Sequence, residues 1–92
     1  MFPKTITVEV AQQDIDHGVR MSCSKCPVAR AIARLYPELF SVRVDQNDIT
    51  LCDRPMHVCF SCYLPTDVID RIQLFDAHGL MEPFSFTVFH EG

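Results

Sequence analysis

The 92-residue chain has three glycines, no tryptophan and no apolar run near the ~20 residues a helix needs to span a bilayer. It has no phosphate loop, no dinucleotide fingerprint, no GxSxG and no HExxH, so no familiar catalytic motif points to an enzyme. It is also short of cations. Eight Lys+Arg against twelve Asp+Glu give a formal net charge of −4, which argues against a nucleic-acid binder that must neutralise phosphates. The first residues, "MFPKTITVEV", lack a basic region followed by an apolar stretch and do not read as a signal peptide. The expectation is a cytoplasmic protein with reduced thiols. Five cysteines, an odd number, fit a fully paired secreted framework poorly.

What is present is a single folded domain, 48% hydrophobic and 22% charged. Strict alternation in Thr5–Val10 predicts a strand with Ile6, Val8 and Val10 inward. The following polar stretch has room for a turn or two of helix, ended at Gly18 by a left-handed residue. Pro27 suits the first turn of a helix, Val28, Ala31, Ile32 and Leu35 form its apolar face, and Pro37 stops it at Tyr36. Phe40, Val42 and Val44, then Ile49 and Leu51, read as a hairpin. A fourth strand follows, with Met56, Val58, Phe60 and Cys62 on one side and His57, Cys59, Ser61 and Tyr63 on the other. A second main helix starts near Thr66 and ends at Gly79. A last strand carries Phe84, Phe86 and Val88. The expected fold is α+β: a two-layer sandwich, two main helices on one face of a mostly antiparallel five-stranded sheet.

The cysteines raise the chemical question. Cys23-Ser-Lys-Cys26 and Cys59-Phe-Ser-Cys62 are two CxxC pairs, a zinc spacing, and the topology brings the end of the fourth strand toward the helix start. Two features oppose a four-cysteine site at Cys23, Cys26, Cys59 and Cys62. Neither pair contains the glycine that usually helps a tight metal-binding turn, and a regular strand points Cys59 and Cys62 to opposite faces. A thiol-disulfide redox role for Cys23 and Cys26 is a further alternative, since a helix start favours thiolate. The plainest reading is structural, the pair fixing the helix entry or bridging when oxidised. Cys52, His57 and Cys59 form a second cluster that a tight turn would place on the outer face of one hairpin.

Two surfaces are candidates for a partner. Lys25, Arg30 and Arg34, with Arg20, line the region of the first main helix. Tyr63 and Phe89 fall on the outer sheet face with Arg43 and His57, where they suit a protein contact, including a homodimer. Asp14, Asp16 and His17 are close in sequence without a spacing that compels catalysis or metal binding.

Asp14, Ile15 and Gly18, then Cys23, Cys26, Pro27, Val28, Ala29, Ala31 and Ile32, form a D-I-x-x-G…C-x-x-C-P-[VI]-A-x-A-[IL] pattern. With the ending "FDAHGLMEPFSFTV", it resembles a group of small uncharacterised phage and prophage proteins. The first cysteine pair belongs to that pattern and the second does not. The resemblance implies a phage-type accessory protein, a non-enzymatic module in the host cell that binds a host or phage protein. Such modules commonly block their target, defence systems included. It implies no cofactor; zinc is the alternative that the cysteine spacing supplies.

Overall fold

The computed structural model describes residues 5–53 and 59–89. Eight elements follow in order: β1 (Thr5–Val10), α1 (Gln12–Asp16), α2 (Pro27–Leu35), β2 (Leu39–Val44), β3 (Asp48–Asp53), β4 (Cys59–Tyr63), α3 (Thr66–His78) and β5 (Phe84–Phe89). The five strands do not form the single sheet that alternation suggested. β1 and β5 make a two-stranded antiparallel sheet, and β2, β3 and β4 make a three-stranded antiparallel meander. The physical reason is that alternation identifies a strand's buried face and carries no information about which strand edges join. β4 comes close to β5 without ladder hydrogen bonds, and α2 packs on β1 and β2, one strand from each sheet. The core therefore sits between two sheets bridged by a helix. The third helix, α1, is the short segment before Gly18.

Of the expected inward rows, Ile6, Val8 and Val10 are buried and oppose Val88, Phe86 and the half-buried Phe84 in register. Val44, Ile49 and Cys62 form one buried cross-strand row, and Leu51 is buried opposite the half-buried Val42; Met56 and Val58 lie outside the described residues. From α2, Val28, Ala29, Ala31 and Ile32 are buried; α3 contributes Val68 and Phe75. Truncating a fully buried residue such as Ile32 to alanine would cost about 2–5 kcal/mol. α3 is also tied to β5 by the Arg71 guanidinium, 4.6 Å from the centre of the Phe84 ring.

Gly18 matters for space rather than for backbone freedom. α1 ends on His17 at φ −98°, and a Cβ on Gly18 would lie 2.6 Å from Cγ and 2.7 Å from Cδ of Pro27. The absent side chain thus lets α1 pass close to the first residue of α2. Gly79 does take the left-handed conformation, φ 71°, and closes α3 as its sequence position suggests.

α1, only five residues long, is held from outside. Asp14 is 3% exposed. Its Oδ2 accepts from the Ala11 backbone N–H (2.9 Å) and from Arg34 Nη2 (2.9 Å), and its Oδ1 accepts from Arg34 Nε (3.2 Å). Arg34 Nη2 also donates to the Glu9 carbonyl at 3.0 Å. One guanidinium thereby joins β1, α1 and α2 in a bidentate pair.

Cys52 and Cys59 are register partners on β3 and β4 and form a disulfide, contrary to the expectation that all thiols are reduced; their direct pairing across the ladder brings the two sulfurs together. The bond closes the hairpin across a sequence separation of 7. For so short a loop the entropy removed from the unfolded chain amounts to about 2 kcal/mol. The Cys52→Ser/Cys59→Ser protein is expected to keep its far-UV circular dichroism and to lose about 2 kcal/mol of unfolding free energy in urea; an unchanged unfolding curve would show that the bond constrains nothing.

Candidate functional site

The turn from Val19 to Cys26 leads from α1 to α2 and touches three other parts of the fold. The Val19 N–H donates to the Lys25 carbonyl at 2.8 Å and closes the turn on itself. Inside it, the Lys25 N–H donates to Ser22 Oγ at 3.1 Å. The Val44 N–H donates to the Cys23 carbonyl at 2.6 Å, tying the turn to the end of β2. The Met21 N–H donates to Asp76 Oδ1 at 2.8 Å, tying it to α3. Arg20 completes that attachment: its Nε and Nη2 donate to the Asp76 and Ala77 carbonyls at 3.0 and 2.7 Å. A cation on the last carbonyls of α3 also suits the negative end of the helix dipole.

This attachment leaves a groove of about 520 Å³ between the turn, the end of β2 and one face of α3. Its walls combine the Cys23 and Cys26 side chains with Met21, Val44, Ile69 and Ile72, and its rim carries Asp45, Gln46, Gln73 and Asp76. The volume falls in the range of pockets that take a small ligand or a few partner side chains. Ile69 and Ile72 are half-buried: they pack on the core from one side and face the groove from the other. Met21 is 83% exposed and has φ 58°, the left-handed region that a long side chain seldom occupies.

The two cysteines of the turn differ. Cys26 is the N-cap of α2 and is 3% exposed. Burial pushes its thiol above the ordinary range; the backbone N–H groups of Ala29 and Val28 pull it back only in part, and the Asp76 carboxylate adds to the rise. Its thiol stays protonated at neutral pH, the reverse of what an activated redox thiol needs. Cys23 is half-buried in the groove wall. Neither is bridged: Cys23, Cys26 and Cys62 are free thiols, so the local Cys23–Cys26 disulfide considered from sequence is not formed here.

The four cysteines of the two CxxC pairs are not brought together as ligands. Cys59 is exposed on the outer face and bonded to Cys52, while Cys62, 2% exposed, lies in the core, where burial raises its thiol too. Strand parity separates the pair, as expected. Cys52 and Cys59 do share the outer face of one hairpin, joined covalently; His57 of that cluster lies outside the described residues. Among the described residues, no three His, Cys, Asp or Glu side chains gather in a metal-binding arrangement.

The basic residues are dispersed. Arg34 is engaged by Asp14, whose hydrogen bond also raises the Arg34 pKa, and Arg20 caps α3. Lys25 and Arg30 are exposed, and Arg30 borders a shallow hollow with His17 and Ser24. Tyr63, 84% exposed, stands on the outer face of β4 opposite Asp48. Phe89, 70% exposed, projects from the other sheet. The groove itself escaped sequence reasoning. Ile69 and Ile72 look like ordinary core positions at helical spacing, and nothing local pairs them with Met21 or Asp45.

No family model, no curated protein and no solved structure matches the chain.

Alkylation of the protein with the Cys52–Cys59 bond intact should label Cys23 first at pH 7.5, with the buried Cys26 and Cys62 following more slowly. Peptide mapping over time checks this, and early labelling of Cys26 would contradict its burial.

Proposed function

We propose that the protein is a non-enzymatic binding module, a phage-type accessory protein that acts in the host cytoplasm by occupying a host protein. The groove between the Val19–Cys26 turn and α3 is the recognition site. The observation that carries the proposal is its composition: an apolar floor from Val44, Ile69 and Ile72 under a rim bearing Asp45 and Asp76. Such a site selects an amphipathic segment with apolar anchors and basic flanks. The negative balance of the whole chain works in the same direction, raising the encounter rate with a basic partner segment.

The surfaces named from sequence enter this reading in different ways. Arg34 serves the fold through Asp14, so reversing its charge would damage α1 before it tested any contact. Arg30, Lys25 and Tyr63 remain exposed and serve as controls.

Immobilised wild type is expected to retain a discrete basic protein from host extract, and Asp45→Lys/Gln73→Lys to lose it by about tenfold or more, since a like charge at a contact costs over 1 kcal/mol. Arg30→Glu and Tyr63→Ala should retain it. Equal retention by the groove variant, or loss confined to Arg30→Glu or Tyr63→Ala, would move recognition away from the groove.

A further inference from the structure

Three sulfur-bearing residues are among those that line the groove: Met21, Cys23 and Cys26. They come from six residues of one turn, and both thiols are free. Met21 is the least explained of them. It holds a left-handed backbone conformation that a non-glycine residue seldom adopts, and it exposes most of an apolar side chain. Packing gains nothing from this arrangement. It leaves the thioether lining the same groove as two free thiols, with the Met21 N–H secured to Asp76.

We propose that Met21, Cys23 and Cys26 form a binding site for a soft monovalent metal ion, copper(I). Softness decides the metal. Thiolate and thioether sulfur select copper(I), whereas zinc asks for four ligands in a tetrahedron. A two-thiolate site with one neutral sulfur falls short of zinc's requirement and meets that of an ion content with two or three ligands. The surroundings act at both stages of binding, with the α2 N-terminus opposing the repulsion of Asp76 on the bound complex. The carboxylates of Asp45 and Asp76 at the rim attract an arriving cation. Once bound, the bis-thiolate complex carries a net charge of −1, and Cys26 places it at the N-terminus of α2, whose dipole favours an anion. The step is a ligand exchange: two S–H bonds break, two Cu–S bonds form, two protons leave to solvent and no electron is transferred.

The turn is built in advance. Its backbone is pinned at Val19, Met21, Cys23 and Lys25 before any ion arrives, so little ordering accompanies binding. The inference stands apart from the partner proposal: copper(I) can bind a chain that captures no protein, and a partner can bind a chain that takes no metal.

The test is competition for copper(I) against a chromophoric chelator, without oxygen and with a reductant. The Cys52→Ser/Cys59→Ser background removes the other reducible pair. This protein should withdraw one copper(I) per chain and gain near-ultraviolet thiolate-to-copper absorption. On that background Cys23→Ser should weaken withdrawal by more than about 100-fold, beyond the loss of an outer-shell partner, and Met21→Leu, which removes the sulfur and keeps the apolar volume, by about tenfold. Cys23 is half-buried, so its serine variant should fold, with circular dichroism as the check. Failure of the background protein to withdraw copper would overturn the proposal, as would Cys23→Ser withdrawing as much as its parent.

Discussion

The hydrogen bond from the Val44 amide to the Cys23 carbonyl is the point on which the functional architecture depends. It joins the turn before α2 to the end of β2, while the Met21 amide and the Arg20 side chain join the same turn to the end of α3. Three elements far apart in sequence thus meet through the backbone of one short segment. A backbone tether suits this task. It fixes where the chain runs and leaves the side chains of Met21 and Cys23 available to line the groove.

The same segment explains the division of labour among the charged residues. In an acidic chain of this size a cation is a scarce resource, and three of the arginines, Arg20, Arg34 and Arg71, are used for construction. Arg34 compensates the buried Asp14 carboxylate and fixes α1, which is too short to persist by itself. Arg20 compensates the carbonyl end of α3. At the groove rim Asp45 lies 3.8 Å from Arg43 Nη2, an exposed and weak pair, and Asp76 accepts the Met21 amide; the two carboxylates give the rim its affinity for a cationic ligand, a basic peptide or a metal ion. Cys26 belongs to both descriptions. As a buried N-cap it is a small apolar residue that starts α2, and as a groove wall it is a sulfur ligand held in place by the core behind it.

Much of the fold was legible in the sequence because its signals are local. Alternation located β1, β2, β3 and β5; Pro27 and Pro37 bracketed α2; Gly79 ended α3. The separation of Cys59 from Cys62 followed from strand parity alone. What could not be read is what depends on tertiary arrangement. Alternation gave five half-buried strands with no indication that β4 and β5 would lie close without pairing. Gly18 looked like a left-handed helix end and instead makes room for Pro27, a contact nine residues away. Arg34 looked like a surface cation because its partner, Asp14, is twenty residues earlier. Cys52 and Cys59 were visible as neighbours across a turn, yet the bond between them depends on their exact pairing in the β3–β4 ladder. The groove needed the turn, β2 and α3 at once, and no spacing in the sequence encodes such a meeting.

The central claim is that the Val19–Cys26 turn is a fixed part of the fold and not a loop that closes on its ligand. Amide hydrogen exchange of the free protein measures this directly. The Val19, Met21 and Val44 amides, each donating to a named acceptor, should exchange slowly, with protection comparable to that of the central strand β3. Exchange of Val19 and Met21 at the rate of an open chain would show that the turn is not held in place, and the groove it is said to build would not exist in the free protein.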